Sequence, residues 1–440
     1  MKVKILLIIG LVFLFFLGEI AVSFSFKSDN KVSIPSSEVV PLSYKVADLQ
    51  FADSNTIQFD SLINDFLLRN KISGASLAVT KKGRLVYAKG YGYAQLEDSI
   101  PVSPQHLFRV ASVSKLITAV TIMKLLEEQK LKIDDKVFGA EGILHEFSDT
   151  GTIDKRLEEI TVRHLLNHTA GWSPRMGDPV FNSLYVARKL KIDPPAKADD
   201  LIRYALGNKL ADKPGTKYLY SNLGYVILGR IIEKLSGMEY EEYVQFAILH
   251  PLGIYDMHIG NSFEPDLYLN EVRYYHYSGM PEVWAYNGSK NLVPLVYGGN
   301  NMALLGAAGG WIASAPELAK LLVALDGFDS SPDILSTHSI KVMTTPQGPK
   351  RRLIGWRATD GRGTWWRTGT IAGSAALIMR HPNETNWVLM VNTSTKKDSH
   401  IHNDISKTMF TALRTVYAWP ETDLFSPEQE INNDLLSLEE

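Results

Sequence analysis

Three short motifs stand in one order along a chain of 440 residues, and few folds explain that order. They are Ser112-Val113-Ser114-Lys115, Tyr220-Ser221-Asn222 and Arg367-Thr368-Gly369. Ser112 opens a strongly apolar stretch running from Lys115 to Leu126, which predicts a buried helix. Residues three apart on a helix share a face, so Lys115 lies one turn from Ser112 and can reach its hydroxyl. A helix N-terminus also favours negative charge developing beside it.

The pattern around these motifs sets the fold class. Phe59, Leu62, Ile63, Phe66 and Leu67 form a helical stripe. Ala75 to Thr80 and Leu85 to Ala88 read as strands, joined by the hairpin signal Lys81-Lys82-Gly83-Arg84. From about Lys130 to Pro294 the periodic segments are helical: Ile160–Leu166, Ala198–Leu206, Leu223–Leu235 and Glu241–Leu249. Pro316 to Leu325 adds a helix. Strands return at Gly363–Thr370, Ser374–Arg380 and Trp387–Asn392, and a last helix runs from about Ile405 to Val416. Strands at both ends with helices between them predict a mixed α/β (α+β) body. Its first and last strands share one antiparallel sheet with helices on the faces. The expected division is a body of residues 57–129 and 300–418, with an α-helical insertion over 130–299.

Net charge is −2 with acids and bases interspersed, so no field gathers nucleic acid or acidic lipid. There is no cysteine, which excludes disulfides, thiolate metal sites and a cysteine nucleophile. Lys2 and Lys4 precede the apolar run Ile5–Gly18, with Ala21 and Ser23 behind it. This reads as a secretory signal over residues 1–23, cut after Ser23. Its rival is an uncleaved membrane anchor over Ile5–Phe26, in which Glu19 would be costly. Either way the expected location is outside the cytoplasm, periplasmic or extracellular. Residues 24–56 read as a tether, and residues 419–440, acidic and free of Lys and Arg, as a solvated tail.

Taken singly the motifs are cheap. Ser28 with Lys31 and Ser394 with Lys397 repeat the first spacing, and Tyr268-Leu269-Asn270 repeats the second. Only Ser112 heads a buried-type helix. Tyr220 follows the turn Pro214-Gly215-Thr216 and precedes an apolar helix. A serine hydroxyl is a weak nucleophile until something accepts its proton. A lysine serves once burial depresses its pKa toward neutrality. Tyr220 can pass a proton between nucleophile and leaving group, while Asn222 can hold the lysine and a substrate amide. No His-x-x-x-His pair lies on a helix, no acidic cluster has metal-loop spacing, and no Gly-x-Ser-x-Gly elbow occurs.

The order Ser-x-x-Lys, Tyr-x-Asn, basic-Thr-Gly resembles the serine β-lactamase and penicillin-binding protein superfamily, in its class C β-lactamase-like branch. Phe108–Ser112, Ile160–Gly171 and Gly309–Ser314 match as well, and the similarity spans Phe59 to Val416. The resemblance implies a β-lactamase/transpeptidase-like sheet and a cofactor-free serine hydrolase over residues 57–418. Ser112 is then the acyl-accepting nucleophile, Lys115 its base partner and Tyr220 the proton shuttle. Asn222, Arg367, Thr368 and Gly369 bind substrate, and the backbone N–H groups of Ser112 and Thr370 form the oxyanion hole. One departure stands out: Arg367 replaces the usual lysine or histidine. Arginine cannot join proton transfer, but its fork can bind a carboxylate bidentately. His168 belongs to a loop that is structural in the family.

The expected partner is a small-molecule or peptide substrate carrying an amide or ester: a D-amino-acid peptide of cell-wall type, a small ester or a β-lactam. The alternative is a protein that senses penicillin or wall fragments with little turnover. A wall-tethered scaffold is more remote.

Overall fold

The computed structural model describes residues 42, 46, 54–148, 153–173, 177–395 and 400–426. The expected signal segment, most of the tether and the tail beyond residue 426 lie outside these residues. Among the described residues no helix is long and apolar enough to cross a membrane.

Helix α1 (Ser54–Asn70) leads into β1 (Gly74–Lys81) and β2 (Arg84–Gln95). The turn between the strands uses Lys82 and Gly83 with φ of 51° and 76°. Positive φ at both central residues suits a two-residue hairpin, and glycine meets it without a Cβ clash. Strands β3 (Ile100–Pro101) and β4 (Phe108–Arg109) precede a 3₁₀ turn at Ala111–Val113, which runs straight into α2 (Ser114–Glu127). Helices α3 (Val162–Leu166), α4 (Ser183–Leu190), α5 (Ala198–Leu206), α6 (Asn222–Ser236) and α7 (Tyr240–Val244) follow. The stretch from 258 to 299 is built of short strands and loops: β5 (His258–Ile259), β6 (Val283–Trp284) and β7 (Leu292–Val293). Next come α8 (Met302–Gly309), β8 (Trp311–Ala313), α9 (Ala315–Val323) and α10 (Thr337–Thr344). Strands β9 (Ala358–Thr359), β10 (Trp365–Ile371), β11 (Ser374–His381) and β12 (Thr385–Val391) precede the final helix α11 (Ile401–Leu413).

The main sheet is antiparallel, with strand order β3-β2-β1-β12-β11-β10-β9. As the sequence pattern predicts, the first strands pair with the last, with Leu77 opposite Leu389. Side chains alternate between faces along a strand. One set, including Leu77, Val79, Leu377, Met379 and Trp387, packs against Phe59, Ile63 and Phe66 of α1 and Ile405 and Met409 of α11. The other set, including Ala78, Ala376, Ile378, Val388 and Met390, joins the core that holds α2, α6, α8 and α9. Because both faces are covered, β12 is buried along its whole length, and from Trp387 to Val391 its sequence runs apolar instead of alternating. Each fully buried Phe or Leu is worth roughly 2 kcal/mol, so this two-sided burial makes β11 and β12 a firm backing for β10, whose own side chains are partly exposed.

A second, three-stranded sheet of order β4-β8-β5 clamps the segment just before Ser112. Phe108 pairs with Ala313, and Val110 N–H donates to Trp311 O at 3.0 Å. The turn that carries Ser112 is thus pinned between this small sheet and the main one.

Candidate active site

Ala111 adopts φ of 47°, a left-handed conformation that costs a non-glycine residue free energy. That twist turns the chain from β4 into the 3₁₀ turn and leaves Ser112, half-buried, at the mouth of α2. The next turn of the helix buries Lys115 completely. A buried ammonium without partners would be very costly, so its environment decides its chemistry. Nζ lies 3.2 Å from Ser112 Oγ and 2.6 Å from Asn222 Oδ1, and it also donates to the carbonyl of Ala308. The ring faces of Tyr220 and Tyr225 stand 5.0 Å and 5.6 Å away.

The carbonyl of Ala308 is available for a local reason. It sits in the last turn of α8, where intrahelical partners run out, and Gly306 leaves helical geometry (φ 14°, ψ −100°). Ala307 O takes the Thr118 hydroxyl at 2.6 Å, and Ala308 O takes Lys115.

Tyr220-Ser221-Asn222 straddles the start of α6. Ser221 is the N-cap, its Oγ accepting the Gly224 N–H at 3.0 Å. Asn222 is therefore the first helical residue and faces Lys115, while Tyr220 lies off the axis. Its phenol oxygen is 2.8 Å from Ser112 Oγ. His168, buried and with φ of 56°, props this turn from behind. Its Nδ1 accepts the Ser221 N–H at 3.2 Å and its carbonyl takes Leu219 N–H. The imidazole packs against the Tyr220 ring with centroids 4.4 Å apart and planes tilted by 33°. Burial, with the charges of Lys115, Arg367 and Arg357 nearby, holds its pKa well below the usual histidine range, so it stays neutral.

Strand β10 brings the third motif. Arg367 is buried, its Nε donating to Ser112 O at 2.7 Å and a terminal nitrogen to Tyr220 Oη at 3.3 Å. It is not a strand arginine pointing to solvent. One of the two edges of the guanidinium that could fork onto a carboxylate, that of Nε and Nη2, holds the protein's own oxygens here. Gly369 is dictated by contact: a Cβ there would stand 2.1 Å from Val110 O and 2.9 Å from Ser112 N. Thr368 is half-buried and pairs with Leu377; Thr370, exposed, pairs with Ala375. His402 of α11 approaches Thr370 Oγ1 at 3.4 Å and Gly369 O at 3.0 Å.

The electrostatics follow from this packing. Burial pushes the Lys115 pKa down; Tyr220 pushes it back up, and Arg367 adds to the depression. For Tyr220, burial alone would raise the pKa, but Lys115 and Arg367 overcome it and bring the phenol to about 8. Two coupled groups beside one hydroxyl thus both have pKa values displaced below their ordinary ranges.

Of the decoy motifs, Ser28, Lys31 and Lys397 lie outside the described residues, and the described members are engaged elsewhere. Tyr268 stacks on His258 at 4.8 Å, Asn270 bonds Asp256, and Ser394 Oγ accepts the Gly373 N–H. Two contributors escaped the sequence reading: the backbone carbonyl of Ala308, which no side-chain motif can announce, and Asp178. The latter accepts from Asn222 Nδ2 at 2.6 Å across a separation of 44 residues.

The fold and this constellation define a class, the serine β-lactamase and penicillin-binding protein superfamily. The chain belongs to the Beta-lactamase family, whose model matches residues 59–407. Among solved structures it is similar to the octameric penicillin-binding protein homologue from Pyrococcus abyssi, at 26% identity and a TM-score of 0.60, covering 85% of this chain and 80% of that one. A D-amino acid amidase from Ochrobactrum anthropi SV3 (21% identity, TM-score 0.63, 83% and 99% covered) shares the fold. So does the D-alanine carboxypeptidase AmpC from Burkholderia cenocepacia (17%, 0.60, 83% and 99%). Among curated proteins, Penicillin-binding protein 4* of Bacillus subtilis is 32% identical over 44% of this chain and 39% of its own length. Protein flp of Staphylococcus aureus is 30% identical over 44% of this chain and 36% of its own. The match thus spans about two fifths of these curated relatives. The mixed α/β fold with its large antiparallel sheet is the β-lactamase/transpeptidase fold.

Proposed function

We propose that the protein is an exported serine hydrolase that forms a covalent acyl-enzyme on Ser112. The observation that carries this reading is one hydroxyl, Ser112 Oγ, within hydrogen-bond reach of both Lys115 Nζ and Tyr220 Oη. Lys115 fits the base role because its other two contacts are fixed acceptors. As a neutral amine it spends two N–H bonds on Asn222 and Ala308 and turns its lone pair toward Ser112. Ser112 Oγ adds to the substrate carbonyl carbon as its proton passes to Lys115. Tyr220 then protonates the departing amine or alcohol and is recharged from Lys115. Water hydrolyses the ester left on Ser112 by the same groups in reverse. The N–H groups of Ser112 and Thr370 receive the oxyanion, Gly369 keeping Ser112 N–H close to β10.

The substrate class we infer is an amide or ester, with D-amino-acid peptides of cell-wall type first and small esters next. The amidase and carboxypeptidase among the fold relatives support an amide. Arg367 supplies fixed positive charge where the family usually has lysine or histidine, which makes rapid β-lactam hydrolysis the least expected activity. The basic start and apolar run of residues 1–23 support export.

The test is a panel of p-nitrophenyl esters, D-amino-acid amides and nitrocefin on purified protein. Turnover of an ester or D-amide is expected. Stoichiometric labelling without turnover would favour the penicillin-binding or wall-fragment-sensing alternative, in line with the name of one curated relative, Penicillin-binding protein 4*. Neither labelling nor turnover would overturn the reading.

A further inference from the structure

Among the described residues, no carboxylate is in direct contact with Lys115. A negative charge stands one residue further out. Asp178 Oδ2 accepts from Asn222 Nδ2 at 2.6 Å, and Asn222 Oδ1 accepts from Lys115 Nζ at 2.6 Å. The carboxylate is itself fixed, because Oδ1 takes the Val180 N–H at 3.0 Å. The loop is tied as well, Asn182 Nδ2 donating to Asp178 O at 2.8 Å. An ionised carboxylate accepts hydrogen bonds only, so it selects one of the two orientations of the Asn222 amide. Nδ2 must face Asp178, and Oδ1 is then presented to Lys115. The flipped amide would place N–H donors against Lys115 and leave the carboxylate facing an oxygen.

Resting on the acyl-enzyme reading above, we propose that Asp178 is a positioning residue for proton transfer: through Asn222 it fixes where the Lys115 amine points and balances its charge. The groups facing Lys115 are Tyr220 and Tyr225 from the α6 region, Asp178 from the loop before α4, Arg367 from β10 and His168 behind Tyr220. His168 is held neutral, and Arg367 disfavours the ammonium. Asp178 is the carboxylate in this set, and its charge favours the ammonium. Without it the lysine deprotonates at lower pH. Without the orientation of Asn222 the lone pair is no longer aimed at Ser112 Oγ.

Two substitutions separate the two effects. Asp178→Asn retains an oxygen that can accept from Asn222 but removes the charge; Asp178→Ala removes both. Lys115 titration is followed by ¹³Cε NMR on lysine-labelled full-length protein, assigned with Lys115→Arg, and this readout does not depend on activity. Both variants should lower the Lys115 midpoint by about one pH unit. The rate of Ser112 labelling by a fluorophosphonate probe, measured against pH, should show its rising limb displaced to lower pH in both. The plateau should fall roughly tenfold in Asp178→Ala and less in Asp178→Asn. Thermal melts confirm that each variant is folded, and Asp178→Glu serves as the conservative variant, expected to recover most of the wild-type limb. A Lys115 midpoint unchanged in both folded variants overturns the proposal, whether or not the probe labels. A wild-type protein that fails to label at Ser112 while its Lys115 midpoint still moves with Asp178 would sink the acyl-enzyme reading alone.

Discussion

Two buried polar clusters of this protein look alike by composition and differ in what they are arranged to do. One surrounds Ser112. The other gathers around the β4-β8-β5 sheet, where Arg109 lies 4.2 Å over the Tyr274 ring and donates to Val296 O and Asn261 O. There Tyr274 Oη donates to Glu271 at 2.6 Å, His258 meets Asp256 at 3.3 Å, and Glu317 takes the N–H groups of Tyr255 and Asp256. Burial raises Glu317 to about 7, with the Asp256 charge adding to it; hydrogen bonds and charge from Asp256 and Glu241 outweigh burial and raise His258 to about 9. Shifted pKa values alone therefore do not tell a catalytic cluster from a structural one. The difference lies in pairing. The second cluster sets carboxylates against cations and backbone donors and ties the 258–299 loops to β4. The first assembles lysine, tyrosine and arginine around a half-exposed hydroxyl, with its carboxylate one residue removed. Fixed acceptors there hold Lys115 in place beside the Ser112 and Tyr220 hydroxyls.

Substitutions that respect this difference should move activity in one cluster and stability in the other. The largest effect is expected at Lys115→Arg, which keeps a positive charge but cannot release its proton at working pH. Acylation should fall roughly 10³-fold in single-turnover ester assays. A loss of only a few-fold would remove Lys115 from the proton route.

Tyr220→Phe should cost roughly 10²-fold in the same assay and alter its pH dependence. In the wild type acylation should rise with pH along a limb near 8, because Ser112 needs an unprotonated acceptor and the coupled Lys115–Tyr220 pair supplies it. That limb should shift or flatten in the variant. An unaltered limb would point to another base.

Arg367→Ala should reduce turnover of neutral esters about tenfold, since the guanidinium holds Ser112 O and Tyr220 Oη. Its positive charge helps bring Tyr220 down, so the limb should move to higher pH. Any extra loss on carboxylate-bearing substrates measures how far the fork also reads charge. Unchanged ester turnover would return Arg367 to substrate recognition alone.

Glu317→Gln should leave acylation per folded molecule unchanged and act on stability. The folded-state pKa of about 7 lies above the ordinary carboxylate value of 4.5, so this group's contribution is complete below 4.5 and is lost as pH rises through 7. Wild-type protein should therefore lose on the order of 1–3 kcal/mol between pH 5 and pH 8 that the variant does not. Thermal melts across that window should show the variant gaining on the wild type as pH rises. A parallel pair of curves would show that Glu317 is not titrating.

The sequence carried the chemistry better than the scaffolding that aims it. The hairpin at Lys82-Gly83, the buried helix behind Ser112 and the apolar C-terminal strands were legible because burial and turn geometry write directly into residue type. The second half of β2 was not, since Gly90 and Gly92 interrupt the strand pattern, yet a Cβ at Gly90 would meet Val102 O at 2.0 Å. Helix α8 went unassigned in the same way, its Leu-Gly-Ala-Ala-Gly stretch offering no helical stripe although Ala308 O is a partner of Lys115. Asp178 was invisible for a different reason. It lies in a loop with no period, and its partner is fixed only by the folded path of the chain. The expected helical insertion also describes the region only up to α7, because the 258–299 stretch carries short strands held by Arg109 and the tyrosines around it.

The central claim is that one hydroxyl forms the covalent bond. Wild-type protein and Ser112→Ala, each treated with a fluorophosphonate probe and a penicillin, can be compared by intact mass and by peptide mapping. One adduct per chain is expected in the wild type, on the peptide containing Ser112, and none in the variant, with both proteins melting at similar temperatures. An adduct on another residue, or one that persists in Ser112→Ala, would contradict the account.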